Sequence, residues 1–249
     1  MMAPDARWHP PPTDLVLSAN DVHVWQANLN LPIGQLEKLT QTLSPDEQQR
    51  ADRFYFERDR THFIAGRGIL RDILSRYLSL EPSQIQFAYS SRGKPALTNT
   101  NKRLSFNVSH SHELALYAIS PAPRLGIDLE YMRPMPDAEK LAKRFFSERE
   151  YSAIASLPPE EQQAAFFNGW TRKEAYLKAT GDGLTGLEEV EVSLLPGEPA
   201  RLVSISGNSQ AACRWLIYPL NPAPDYVAAL AVEGQGWHLE LFTVKSLTS

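Results

Sequence analysis

The chain has 249 residues, a length at which one large domain or two small ones can bury a full core. Apolar residues make up 43% and charged residues 22%, ordinary globular usage that excludes wholesale disorder, coiled coil and collagen, while a net charge of −4 argues against general nucleic-acid binding. Cys213 is the only cysteine, which excludes an internal disulfide and a cysteine zinc cage and fits a reducing cytoplasm. Neither export nor membrane spanning is expected, because the first residues lack a signal-type apolar core and no apolar run approaches about 20 residues.

Residues 1–14 carry Pro4, Pro10, Pro11 and Pro12 among polar residues and read as a flexible arm. A strand is expected at 21–25. Ser44, Pro45 and Glu47 then stand as N-cap, first-turn proline and capping-box glutamate, so a helix is predicted from Pro45. Phe63, Gly66, Leu70, Ile73, Leu74, Tyr77 and Leu78 recur at spacings of three and four, the stripe of a buried helix that stops before Pro82. Short strands follow at 85–87, 104–106, 114–119 and 125–130, and suggest a small antiparallel sheet. Ser147 and Glu150 form a second capping box, Pro158 and Pro159 end that segment, and a longer helix is predicted over 160–179. Strands are expected again at 190–194, 202–205, 214–218, 226–232 and 237–244. Helix-then-strand order thus occurs twice. Residues 114–119 with 125–130, and 226–230 with 237–241, both read as hairpins. The predicted fold is α+β, with two similar halves, 15–122 and 123–249, related by a pseudo-two-fold axis and a ligand cleft between them.

Asp128 and Glu130 lie two apart in a predicted strand, so their carboxylates project from one face. At ~7 Å and an effective dielectric of ~20 their repulsion is ~2.4 kcal/mol, a cost that a divalent cation reverses and that a water-facing strand screens. Both readings stand on the pair alone. Trp170, Glu174 and Lys178 share one face of the long predicted helix, either as a solvated Glu-to-Lys pair or as a third carboxylate with a donor for phosphate oxygens. Asn107, Ser109, His110, Ser111 and His112 concentrate hydrogen-bonding groups near a strand end, and no Gly-x-Ser-x-Gly elbow surrounds Ser109. Arg92 and Lys94 in a turn, and Arg50 and Arg53 near a helix, are either anion grips or solvated charge. The Gly181-Asp182-Gly183 stop has no P-loop pattern.

Taken together these segments resemble the surfactin-type 4′-phosphopantetheinyl transferases. Phe106-Asn-Val-Ser-His110-Ser111 is similar to that family's Phe/Trp-Asn-x-Ser-His-Ser, Gly126-Ile-Asp128-Leu-Glu130 to its Gly-x-Asp-x-Glu, and Trp170 to Lys178 to its Trp-x-x-Lys-Glu-Ala-x-x-Lys. Gly93-Lys94-Pro95 and Phe145-Phe146-Ser147-x-x-Glu150 are also similar to family segments. The resemblance implies transfer of the phosphopantetheine arm of coenzyme A to a serine of a carrier protein, with release of adenosine 3′,5′-bisphosphate. It implies that Asp128, Glu130 and Glu174 hold Mg2+, that Asp128, Glu174 and Lys178 carry the chemistry, and that Glu174 is a ligand, a proton acceptor or both. It implies coenzyme A contacts from Arg50, Lys94, Ser109, His110 and Lys178. His62 stands where some relatives carry an arginine for the nucleotide's 3′-phosphate, and Glu47 at an aligned basic position, so the grip falls to His62 or is shared with Arg53. Lys143, Arg144 and Phe145 are expected to meet an acidic helix of the carrier. A cytoplasmic monomer with no nucleic-acid or membrane partner is expected. The alternatives are a metal-dependent hydrolase of coenzyme A or a related nucleotide, and a non-catalytic binder of carrier domains.

Overall fold

The computed structural model describes residues 7–98, 104–135 and 138–244. In chain order these form β1 (Asp21–Asn28), α1 (Ile33–Thr40), α2 (Pro45–Ala51), α3 (Glu57–Leu78), β2 (Phe87–Tyr89), β3 (Pro95–Leu97), β4 (Ser105–Ser111), β5 (Leu114–Ser120) and β6 (Leu125–Tyr131). There follow α4 (Ala138–Phe145), α5 (Glu148–Ala155), α6 (Pro159–Thr180), β7 (Val190–Val192), β8 (Leu202–Ile205), α7 (Ser209–Ala212), β9 (Trp215–Leu220), β10 (Tyr226–Glu233) and β11 (His238–Thr243). The fold is α+β.

Two sheets form the centre, one ordered β11-β1-β5-β4 and the other β6-β10-β9. Period-two alternation sorts their side chains into layers. Val22 and Val24 of β1 and Leu116 and Ala118 of β5 meet Ile127 and Leu129 of β6 and Leu230 of β10 in a core between the sheets. The opposite face of the first sheet, with Trp25, Tyr117 and Ile119, packs on Ile69, Ile73 and Leu74 of α3. The opposite face of the second, with Ala229 and Ala231, packs on Ala175 and Ala179 of α6. A helix–sheet–sheet–helix stack results, and it explains why β5 and β10 read as almost unbroken apolar runs: both faces are covered.

Neither expected hairpin forms. β5 pairs with β1 and β4, whereas β6 pairs with β10 in the other sheet. β10 lies between β6 and β9, and β11 crosses to the first sheet to pair in parallel with β1, Val24 opposite Leu241. The 122/123 boundary therefore separates the two sheets except for β11. The expected flexible arm is tied down within its described part, since His9 N–H donates to the Leu241 carbonyl at 3.0 Å and Thr243 N–H to the His9 carbonyl at 2.9 Å; residues 1–6 lie outside the described residues. Helices α1 and α4, and the short β3 that pairs with β2, went unpredicted.

The second 22-residue helix, α6, is the element that positions chemistry. Gly126 lets it lie directly on β6: a Cβ there would stand 2.1 Å from the Ala175 carbonyl oxygen and 2.4 Å from the Ala179 nitrogen. Lys173, fully buried, anchors the helix to α5 by an ion pair to Glu150 at 2.7 Å and a bond to the Leu187 carbonyl at 3.0 Å. Glu150 also closes the α5 capping box through Ser147 N–H at 2.8 Å. The helix ends at Gly181, whose φ of +84° is left-handed and suits glycine.

The Gly126 contact generates a test. Gly126→Ala should destabilise the fold by at least ~1–3 kcal/mol, the usual cost of overpacking, because the obstructing atoms are backbone. A urea midpoint equal to that of the wild type would contradict the close approach.

Candidate active site

β4 and β6 are the facing edges of the two sheets, and three polar side chains of β4 join them. Asn107 Oδ1 accepts from Ile127 N–H at 2.9 Å, Ser109 Oγ from Leu129 N–H at 3.2 Å and Ser111 Oγ from Tyr131 N–H at 3.1 Å. Period two on both strands puts these residues in register. The two serines do more. Ser109 Oγ donates to Asp128 Oδ1 at 3.2 Å, and Ser111 Oγ donates to Glu130 Oε2 at 3.0 Å.

Lys178, from α6, reaches the same place. Its ammonium donates to Asp128 Oδ1 at 2.6 Å and to Ser109 Oγ at 2.9 Å. Asp128 is almost completely buried, and desolvation pushes its pKa up while Lys178 and Ser109 pull it down. Burial, then the Asp128 charge, also raises Glu130. Glu174, one helical turn before Lys178, is pushed up to about 7 by burial, with Asp128 and Glu130 adding and Lys178 opposing. The three carboxylates expected to act together are thus electrostatically coupled. Two of their oxygens, Asp128 Oδ2 and Glu174 Oε1, are buried without a hydrogen-bond partner.

Beside this cluster opens a cleft of about 860 Å³ between the halves. Arg50, Arg58, His62, His110, His112, Glu130 and Arg133 supply its polar lining, and Met135, Leu141, Phe166, Phe167 and Trp170 an apolar wall. His62 and His110 are both held below the ordinary imidazole pKa, first by desolvation, then by Arg58 and His110 for His62 and by Lys178 for His110. His112 stacks on Tyr131 at 4.7 Å and meets Arg58 at 3.3 Å.

Two expected contacts, Lys94 and Arg53, lie outside the cleft lining. Lys94 Nζ donates to the carbonyls of Lys178 and, at 3.2 Å, Ala179, and Arg92 donates to the Gly181 carbonyl at 2.7 Å, so this turn caps the carboxyl end of α6. Arg53 is exposed, bonded to Gln49 at 3.1 Å and outside the cleft lining. Ser109 has its hydroxyl committed to Leu129, Asp128 and Lys178 within the acidic cluster. Glu47, at the aligned basic position, is buried and paired with Arg71 at 2.8 Å and Arg67 at 3.4 Å. Conversely, Arg58, Tyr131 and Arg133 of the cleft lining were missed; the spacing of Arg58 four residues before His62 was the available signal.

A family model described as the 4′-phosphopantetheinyl transferase superfamily matches residues 124–231, and one described as 4′-phosphopantetheinyl transferase, N-terminal, matches residues 30–122. The chain is 52% identical over 232 residues to the 4′-phosphopantetheinyl transferase HetI of Nostoc sp. strain PCC 7120, covering 92% of this chain and 95% of that protein. The chain belongs to the 4′-phosphopantetheinyl transferase family. It is also 32% identical to the 4′-phosphopantetheinyl transferase psf-1 of Bacillus pumilus, over 86% of this chain and 90% of that protein. With Sfp of Bacillus subtilis strain 168 it shares 33% identity over 60% of this chain and 65% of that protein. As a phosphopantetheinyl transferase it transfers phosphopantetheine to carrier proteins.

In this transferase the half-buried Glu174 makes stability depend on pH. Its pKa is raised from 4.5 to about 7 on folding, so between these values the unfolded carboxyl ionises first and the folded state loses stability as pH rises. Glu174→Gln removes that penalty. Urea titrations should find the variant close to wild type near ~pH 5 and more stable at ~pH 8 by on the order of 1–2 kcal/mol, after allowance for partial exposure. An advantage that does not grow with pH would contradict the buried charge.

Proposed function

We propose that the protein transfers the 4′-phosphopantetheine arm of coenzyme A to a serine of an apo acyl or peptidyl carrier protein and releases adenosine 3′,5′-bisphosphate. The observation that carries this reading is the pair of buried, unpartnered oxygens, Asp128 Oδ2 and Glu174 Oε1, beside a third carboxylate and a lysine at the cleft. A buried anionic oxygen without a partner is costly, and a set of such oxygens is the donor chemistry of a hard divalent cation. Asp128, Glu130 and Glu174 would hold Mg2+. Among the described residues no three such groups are yet gathered at coordinating spacing, and Lys178 engages Asp128 Oδ1, which leaves Oδ2 as the free donor. Held there, the ion would supply charge neutralisation to phosphoryl oxygens.

The chain's own groups divide the remaining work. The carrier serine oxygen forms a bond to the phosphorus that bears the pantetheine arm, while that phosphorus loses its bridging oxygen, with the electron pair, to the adenosine bisphosphate. Glu174, as ligand, proton acceptor or both, is the carboxylate assigned to take the serine proton, directly or through water. Lys178 spends two of its three ammonium donors on Asp128 and Ser109 and has one left for the leaving phosphate. Arg50, His62 and His110 line the cleft toward the nucleotide phosphates, and Arg58 joins them. Lys143 and Arg144 are exposed on α4, with Phe145 half-buried against Trp170 at 5.8 Å, a basic and apolar surface suited to an acidic carrier helix. No helix among the described residues is long and apolar enough to cross a membrane; a cytoplasmic monomer remains our reading.

Mass spectrometry tests the proposal directly. Coenzyme A, Mg2+ and an apo carrier should yield a carrier heavier by one arm, and chelation of Mg2+ should stop the reaction. Asp128→Ala and Glu174→Gln should each lower turnover by at least ~100-fold with folding intact by circular dichroism. Nucleotide release without a carrier would instead support the hydrolase.

A further inference from the structure

We propose that Ser109 and Ser111 are positioning residues for the carboxylates of the site, a role that rests on the transfer reading above. Each hydroxyl performs the same double task. It accepts the backbone N–H of the residue that follows a carboxylate, Leu129 or Tyr131, and donates its own proton to that carboxylate, Asp128 or Glu130. One oxygen thereby fixes a strand segment and the side chain projecting from it. Ser109 carries a third bond, from Lys178, so it also links the helix to the strand at the point where Asp128 Oδ1 is held. With Oδ1 engaged by a serine and a lysine, Oδ2 is the oxygen presented with no protein partner. The hydroxyls thus select which carboxylate oxygen is offered.

Asn107 supplies an internal control. It makes the same kind of bond to the Ile127 N–H, one step along the ladder, but Gly126 precedes that residue and no carboxylate is attached. Loss of Asn107 removes a link between the sheets without touching the acidic groups. If the serines are merely structural, all three truncations should behave alike; if they position carboxylates, the serines should differ from the asparagine.

The experiment compares Asn107→Ala, Ser109→Ala, Ser111→Ala and Ser111→Thr in the full chain, each below its own Tm. Transfer kinetics and Mn2+ binding by electron paramagnetic resonance are measured with coenzyme A present. Outer contacts to metal ligands typically carry ~10–100-fold in affinity or activity. Ser109→Ala and Ser111→Ala should weaken Mn2+ binding and lower kcat by ~10-fold or more, with the KM for coenzyme A within about twofold of wild type. Ser111→Thr, which keeps the hydroxyl, should recover most of the Ser111→Ala loss. Asn107→Ala should lower Tm with Mn2+ affinity and kcat retained. Equal losses of Mn2+ affinity in Asn107→Ala and Ser109→Ala, or no change in either serine variant, would overturn the positioning role. Absence of transfer by the wild-type chain would instead overturn the reading on which it rests.

Discussion

The site depends on how two sheet edges are joined. β6 pairs with β10 along one side, and on the other its N–H groups at Ile127, Leu129 and Tyr131 have no strand to receive them. An edge with unmet donors is a liability in water and a larger one when buried. The chain answers with side chains rather than backbone, because Asn107, Ser109 and Ser111 carry acceptors short enough to reach across. The offset of twenty residues repeats along the ladder, so a slip of one residue would present Val108 and His110 to those donors and lose every bond. Register between the halves and register of the acidic pair are therefore one constraint.

Concentrating carboxylates at that seam works against folding, and the surrounding contacts show how the strain is contained. Asp128, Glu130 and Glu174 are all raised by desolvation, Glu130 and Glu174 also by neighbouring carboxylates, and Lys178 opposes the shift at all three. The helix carrying Glu174 and Lys178 cannot be allowed to drift. Gly126 sets its distance from the strand, the Lys173–Glu150 pair fixes it from the far side, and Arg92 and Lys94 cap its last carbonyls from the first half of the chain. Breaking the buried Lys173–Glu150 pair by removing one partner would leave an uncompensated charge, at a cost of ~3–5 kcal/mol.

Much of this was legible in the residues themselves, for reasons that differ by element. Helix α3 announces itself through three-and-four spacing, and α2 and α5 through capping boxes, because those signals are local. Asp128, Glu130, Glu174 and Lys178 were placed correctly on shared faces by periods of two and of four. Strand partners were not legible. A run such as 114–119 is buried on both faces, so its sequence fixes that it is a strand and says nothing about which strand lies beside it, and β11 pairs with β1 across more than 200 residues. The protein partners of Lys94 and Ser109 were not legible for a related reason. Residue type gives donor capacity, but the partner that uses it, here a helix end and a carboxylate, is a matter of tertiary placement.

His62 shows what such placement does to a charge argument. Its Nε2 lies 2.8 Å from Asn30 Oδ1, an acceptor, so that nitrogen carries the proton and the neutral ring keeps only an acceptor at Nδ1. Desolvation, Arg58 and His110 all hold it in that neutral form. A neutral His62 therefore offers no free donor to a phosphate until it takes up a proton from solvent, which burial and the Arg58 charge oppose. Arg50 and Arg58 supply permanent charge in the same cleft, the first packed over the Phe63 ring at 5.2 Å and the second one helical turn before His62. Arg50 and Arg58 thus bring guanidinium charge to the cleft beside His62, whose own charge grows only as pH falls.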